Sequence, residues 1–286
     1  MADKNYLHTA YANSADGTDG FTTVYPNLNL LVNSSAKNKE GFFKNFDKVE
    51  NGYGEVTMKG TNAWVNKDLG EGFSIQPINY KPGDKYTMSV DVMFTSWNVP
   101  AGTTISAFWM RQRYTENSWK EICTIDLPKD PSKMLNQWIR ITQTSTIPPY
   151  EDPSVGTQAI LNVGFFGQQE GSFTIRVRNP KQELGSIATP YMPSASEVTT
   201  ADWPKFVGTY VDTNPVSSTV SSKYDWDEMK YRVYLDGTPV GGSKLLSFDL
   251  ENLKAGTSYN VQVSQINGNV ESDKSESVAF KTTLPK

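Results

Sequence analysis

Asp91, Trp109, Arg111, Asn162 and Arg176 stand at alternate positions of four runs whose other members are apolar. Successive side chains of an extended strand point to opposite faces, so each of these groups is expected to point away from the core its neighbours form. Val90 and Val92 flank Asp91, Phe108 and Met110 alternate with Trp109 and Arg111, Leu161 and Val163 flank Asn162, and Ile175 and Val177 flank Arg176. If those outward positions share one sheet face, an aromatic ring lies beside charged and amide groups. That combination suits a saccharide, which offers a weakly apolar ring face and many hydroxyls. Trp64, between Ala63 and Val65, is expected to join the set, and Trp97 and Trp119, near strand ends, are expected as rim contacts. The competing reading is structural: Trp109 and Trp138 pack under a loop, and Arg111 pairs with Asp91 as an ordinary ion pair. A phase error of one residue would turn every one of these side chains to the other face.

Catalytic patterns are missing from the sequence. There is no Gly-x-Ser-x-Gly elbow, Walker loop, dinucleotide fingerprint or His-Glu-x-x-His. The single histidine, His8, excludes His-pair metal motifs, and the single cysteine, Cys123, excludes a disulfide framework and multi-cysteine metal sites. Cys123 sits in an alternating run and reads as a small, half-buried strand residue. Glu50 with Glu55, and Asp225 with Asp227, are carboxylate pairs, but they lie in turn-like sequence without the apolar surroundings that raise a carboxyl pKa. A glycosidase pair far apart in sequence stays open. The expectation is a non-enzyme without a cofactor.

The chain has 286 residues, enough for two or three domains, and is 12% aromatic but only 37% hydrophobic. That balance fits sheets with one wet face. Net charge is -4 and the 27 basic residues are scattered, so no footprint for a nucleic-acid backbone is present. The amino terminus lacks an apolar signal core, and no apolar run nears the ~20 residues that span a bilayer. Neither nucleic acid nor membrane insertion is expected. A chain made in the cytoplasm without a signal peptide would reach a cell exterior by another vehicle, such as a virion.

Strand candidates follow one another with turn chemistry between them. The clearest is Lys85 to Phe94, where Tyr86, Met88, Val90, Val92 and Phe94 alternate with polar neighbours and Met93. Others are Tyr53 to Lys59, Ala63 to Val65, Phe73 to Ile75, Thr103 to Tyr114, Trp119 to Ile125, Trp138 to Thr146 and Ile160 to Phe166. Ser172 to Arg178 alternates too, and its pairing is expected to end at Asn179-Pro180, where proline removes a ladder donor. Later, Leu235-Asp236-Gly237-Thr238 reads as a hairpin turn. No sustained helical period appears, so the fold class is all-β.

Three stretches carry resemblances. Asn29-Leu30-Leu31-Val32-Asn33 and the run from Asn179-Pro180-Lys181 through Ala188-Thr189-Pro190-Tyr191 are similar to the opening and closing signatures of jelly-roll carbohydrate-binding domains of phage tail proteins and glycoside hydrolases. They bracket residues 28–194 as a jelly-roll β-sandwich. Tyr6, His8, Ala10 and Tyr11, with the polar turn cluster from Asn13 to Gly20, resemble an opening motif of phage baseplate and neck proteins that usually continues into a segment like residues 206–226. Residues 1–27 are thus expected to pack with the later module, the jelly roll being an insertion. After a 195–203 linker, Leu253 to Val263 and the ending Ser277 to Thr283 resemble the tyrosine corner and last strand of a fibronectin type III domain, which assigns 204–286 to a smaller Ig-like sandwich.

Together these features make the chain resemble the accessory baseplate proteins of lactococcal siphophages. The resemblance implies a virion tail-baseplate component, held by other baseplate proteins, whose jelly roll binds host cell-wall polysaccharide. Structural calcium is frequent in such jelly rolls, and the sequence does not locate ligands for it. Two rival readings are a structural spacer without ligand and a cell-wall glycoside hydrolase accessory.

Overall fold

The computed structural model describes residues 4–60, 65–74, 83–101, 105–115, 118–128, 130–147, 157–165 and 170–283; for 65–74, 105–115, 118–124, 126 and 157–165 this is the backbone alone. The chain forms two compact units, one of residues 28–198 and one in which residues 1–27 join residues 199–286. The second unit opens with β1 (Tyr6–Ala12) and β2 (Phe21–Thr22). The first unit then carries β3 (Lys48–Glu50), β4 (Tyr53–Lys59), β5 (Val65–Ser74), β6 (Lys85–Asn98), β7 (Ile105–Thr115), β8 (Ser118–Asp126), β9 (Ile139–Thr146), β10 (Thr157–Phe165) and β11 (Ser172–Leu184). The second unit resumes with β12 (Phe206–Asp212), β13 (Asp225–Glu228), β14 (Tyr231–Leu235), β15 (Thr238–Ser243), β16 (Ser258–Asn267), β17 (Val270–Glu271) and β18 (Val278–Lys281). The architecture is all-β, a jelly-roll sandwich and a smaller fibronectin-like sandwich.

In the jelly roll the strands form one sheet of order β3-β4-β11-β6-β9 and another of order β5-β10-β7-β8. Alternation builds the core: Val56 and Met58 of β4, Met88, Val90, Val92 and Phe94 of β6, and Phe173, Ile175 and Val177 of β11 are buried in one cluster with Ile125 of β8. Phe42, Phe43 and Phe46, from a 3₁₀ turn and its exit, fill the same core. At Gly54 a Cβ would come within 2.5 Å of the rings of Phe43 and Phe46, so glycine lets these rings press onto the β4 backbone. Phe73 and Val65 fall on one strand, β5, rather than two.

β11 corrects the expectation that pairing stops at Asn179-Pro180. Arg178 pairs with Asp91 and Lys181 with Ser89, so three steps on β11 match two on β6. This is a β-bulge, which leaves proline outside the ladder, where no N–H is needed. Asn179 adopts φ 51°, a left-handed conformation that asparagine tolerates better than most residues. The extra residue also reverses the phase beyond it. Lys181 and Glu183 turn to the face of Ser89 and Thr87, and Gln182 turns toward the face of Met88.

Each element of the closing sequence then has a partner. Glu183 accepts from the Thr189 N–H at 2.9 Å and the Thr189 hydroxyl at 2.6 Å, while the Lys181 ammonium donates to Thr189 Oγ1 at 2.5 Å and the Pro190 carbonyl at 2.6 Å. Burial pushes the Lys181 pKa down to about 8, against the attraction of Glu183. Asn29 joins the opening sequence to this corner: its Oδ1 accepts from the N–H groups of Leu31 and Gln182 at 3.0 and 2.9 Å. Its Nδ2 donates to Ser34 Oγ at 2.9 Å and to the Pro180 carbonyl at 2.7 Å.

In the second unit β1 pairs with β12 over its whole length, in a sheet of order β13-β12-β1-β2. His8 is buried, stacks on Tyr210 at 4.5 Å, and bonds the Asn214 carbonyl at 2.8 Å through Nε2 and the Ser217 hydroxyl at 3.0 Å through Nδ1. Trp226 lies against Gly208 and Gly17, where a Cβ would come within 2.7 and 2.5 Å of its ring. The second sheet has the order β15-β14-β16-β17, with β18 also on β16. Asp236 and Gly237, both at positive φ, close the β14–β15 hairpin. The Lys254 N–H donates to the Tyr259 hydroxyl at 2.9 Å, a tyrosine corner.

Two substitutions test this account of the jelly roll. Asn29→Ala strands two buried N–H donors and should cost at least about 2 kcal/mol, lowering the melting midpoint by roughly 4–8 °C for a unit of this size; an unchanged midpoint would refute the staple. Gln182 is fully buried, and its side-chain amide has no hydrogen-bond partner among the described residues. Gln182→Met should therefore raise stability by about 1 kcal/mol in urea unfolding, and a loss would show that the amide is satisfied.

Candidate functional site

The outer face of the five-stranded sheet collects the polar positions that alternate with the core. Register sets them in rows: Glu55 of β4 opposite Arg176 of β11, and Arg178 of β11, Asp91 of β6 and Arg140 of β9 side by side across three strands. Strands lie about 4.8 Å apart, so groups opposite one another are within reach of direct bonds. Arg176 Nε donates to Glu55 Oε2 at 2.6 Å. Asp91 accepts from Arg140 at 2.8 Å through Oδ1 and from the Asn179 amide at 2.9 Å through Oδ2, and Arg178 Nε lies 3.4 Å from Oδ2. Arg140 also donates to Ser89 Oγ at 2.7 Å.

Two half-buried aromatic rings complete this face. Tyr53, at the start of β4, and Trp138, just before β9, approach to 6.1 Å between ring centroids. The Arg176 guanidinium carbon lies 4.6 Å from the Tyr53 ring centre and that of Arg178 lies 4.1 Å from the Trp138 ring centre, both within cation–π range. Arginine is thereby held twice, by carboxylate at one end and by ring at the side, which fixes the rings and cations in one arrangement. Such a bed offers a partly apolar platform ringed by fixed donors and acceptors, the composition that saccharide recognition asks for.

Of the residues expected from sequence, Asp91 and Arg176 lie on this face. Trp109, Arg111 and Asn162 do not share their sheet: Trp109 and Arg111 are on β7, paired with Ile160 and Gln158, and Asn162 is on β10, paired with Asp68. The expected single face is thus divided between two sheets, because β7 and β10 pair with each other and not with β6 or β11. Among the described side chains, the Asp91 partners are Arg140, Arg178 and Asn179. Trp119 lies on β8 opposite Arg113. Trp64 falls outside the described residues. Trp97, expected at the rim, packs on the core, edge-on to Phe94 at 5.5 Å and 5.7 Å from Phe173. Between Thr174 and Ile175 of β11, opposite Ser96 and Phe94, β6 carries one extra residue, Thr95, which changes the phase of β6 just before Trp97.

Sequence reasoning passed over Arg178 and Arg140, although alternation beyond Val177 and around Ile139 and Ile141 marks both as outward. Alternation alone reads Glu55 as one of a carboxylate pair and Trp138 as a ring under a loop. Among the described residues no group of three or more His, Cys, Asp or Glu is placed to hold a metal ion. The Lys48–Glu50 pair at the sheet edge and the Glu55–Arg176 pair engage both acidic residues of the one carboxylate pair in this sheet.

Comparison with known proteins adds identity to this geometry. Residues 38–180 match the family described as BppA domain 1, of the carbohydrate-binding-module 4/9 class, and residues 204–262 match the minor structural protein 5-like, C-terminal domain. No curated protein matches the chain. One similar solved structure holds the CBM22-1 and GH10 modules of the Clostridium thermocellum N-terminal endo-1,4-β-D-xylanase 10B complexed with xylohexaose. It is 15% identical, with a TM-score of 0.28, over 69% of this chain and 31% of that one, so this chain spans about a third of that protein's length.

The Asp91 node generates a prediction. Asp91→Ala leaves Arg140, Arg178 and Asn179 without their shared acceptor. It should cost about 2 kcal/mol, toward the low end for a broken ion pair because the guanidinium groups reach water. Asp91→Asn, which keeps one acceptor oxygen, should cost less. Urea unfolding of both variants decides, and equal stability of Asp91→Ala and the parent would remove Asp91 from its organising role.

Proposed function

The chain belongs to the BppA domain 1 family and is a phage baseplate protein with a carbohydrate-binding module; from this we propose that its jelly roll binds saccharide of the host cell surface without enzymatic action. The observation that carries the proposal is the outer face of the five-stranded sheet, where Tyr53 and Trp138 lie over Arg176 and Arg178, and Asp91 and Glu55 hold those cations in place. A ring face, guanidinium donors and carboxylate acceptors within one patch can take a sugar ring and its hydroxyls together. The saccharide-binding residues proposed are therefore Tyr53, Asp91, Trp138, Arg176 and Arg178. The other baseplate proteins are the proposed partners of the second unit.

Non-enzymatic action rests on the carboxylates. Glu55 and Asp91 are each tied to arginine, and among the described residues neither is bonded to a second carboxyl in the way that divides acid from base in glycoside hydrolysis. A single site of this kind is expected to bind weakly, near ~1 mM or about -4 kcal/mol. Several copies on one virion would convert this into firm attachment.

The test is binding of the purified chain to lactococcal cells, the host class that the sequence resemblance implies, and to their released wall polysaccharide. Trp138→Ala should abolish binding while near-ultraviolet dichroism stays folded, and Trp109→Ala, on the other sheet, should retain it. Loss with Trp109→Ala alone would move the site to the second sheet. No binding by the parent across several strains, with calcium present, would favour the spacer reading.

A further inference from the structure

The proposed face carries an excess of positive charge that a neutral sugar does not use. Arg140, Arg176 and Arg178 face two carboxylates, Glu55 and Asp91. The cations are also the more exposed partners: the arginine side chains are 31%, 32% and 40% exposed, against 25% for Glu55 and 13% for Asp91. The carboxylates lie deeper and serve as the cations' internal anchors. An approaching ligand thus meets guanidinium groups first: Arg140 and Arg176 each give one bond to a carboxylate and keep further donors, and Arg178 stands beside Asp91 as an ion pair at 3.4 Å without a hydrogen bond from its Nε. The nearby Lys48–Glu50 pair is self-neutralising and leaves the balance unchanged. Lys181 and Glu183, buried together on the same side of β11, likewise cancel.

Ring packing strengthens the case. Arg176 and Arg178 stand against the Tyr53 and Trp138 rings, so part of each aromatic surface is already covered by a cation. Stacking alone would be a costly use of rings so occupied. The rings instead hold the guanidinium planes at fixed orientation, which favours a planar or tetrahedral oxyanion that accepts two parallel hydrogen bonds. We propose that this face selects an acidic saccharide, one bearing carboxylate or phosphodiester groups along its chain. The proposal rests on the saccharide reading above and narrows its ligand class.

The experiment is titration calorimetry of the intact protein with three probes of similar length: a galacturonate hexamer, a glycerol-phosphate oligomer and a neutral β-1,4-glucan hexamer. At least one acidic probe should bind about tenfold or more tightly than the neutral one, the worth of one charge-assisted bond. Its affinity should fall severalfold between about 50 and 500 mM salt, as screening shortens the reach of the charges. Arg178→Gln should weaken the acidic probe about tenfold, and Glu55→Gln, which frees Arg176 and adds net positive charge, should tighten it. A purely structural role for Glu55 would weaken binding instead.

The two acidic probes separate carboxylate from phosphodiester. Equal affinity for neutral and acidic probes, insensitive to salt, would overturn the charge selection and leave the saccharide site standing. So would binding of wall polysaccharide with neither acidic oligomer bound. Failure of all three probes and of wall polysaccharide would overturn both readings together. The salt series uses the parent protein alone, so the proposal stays decidable even if a variant fails to fold.

Discussion

A proline inside the middle strand of a five-stranded sheet removes a ladder donor, and the way β11 absorbs that loss sets much of the jelly roll. One extra residue at Asn179-Pro180 lets pairing with β6 resume after a shift. Ahead of the bulge, Arg176 and Arg178 point outward. Beyond it, Lys181 and Glu183 take the same side, where an unshifted strand would have sent them into the core. The bulge therefore divides one face of one strand into an upper, partly exposed half that bears the candidate site and a lower, buried half sealed by the closing segment.

The divided face explains why the closing signature contains the residues it does. Asn179 supplies the left-handed conformation and lends its amide to Asp91. Pro180 offers its carbonyl to Asn29, so the opening and closing signatures meet through one carboxamide. Lys181 and Glu183 are both buried, which would be costly for either alone, and the Thr189 and Pro190 groups complete their hydrogen bonding. The site and the staple are linked at a distance of one residue, since Arg178 and Asn179 both address Asp91. Positioning of the cations thus depends on the same backbone feature that closes the domain.

Much of this fold was legible in sequence because alternation depends only on the pleat. β6 as far as Val92 and β11 before the bulge carry apolar and polar residues in turn, and the core members Val90, Val92, Ile175 and Val177 follow from that pattern alone. The hairpin at Asp236-Gly237 was legible from turn chemistry, which is local, and the corner at Tyr259 from the resemblance of Leu253 to Val263 to a fibronectin type III domain. What alternation does not encode is which strands become neighbours. Asp91, Trp109, Arg111, Asn162 and Arg176 all read as outward, yet a sandwich has two sheets, and strand order divides these residues between them. Pairing across 50 to 90 residues is decided by long-range packing that leaves no period in the chain.

The aromatic half of the site escaped sequence reasoning for a different reason. Trp138 precedes β9 and Tyr53 begins β4, so each stands at the end of its run, where alternation gives its ring a side but no neighbour. Their rings come together because two arginines of the strand between them attract both, and the attraction is visible only once β4, β11 and β6 are known to be neighbours. A tryptophan at a strand end beside an outward arginine on another strand is a pattern too common to single out in advance. In this face the arginines are the more informative residues: their alternation is readable, their number exceeds that of the carboxylates beside them, and the rings settle where the arginines stand. A search of related sheets is therefore better begun from unmatched outward cations than from tryptophans, because the cation's position is fixed by the ladder and the ring's is not.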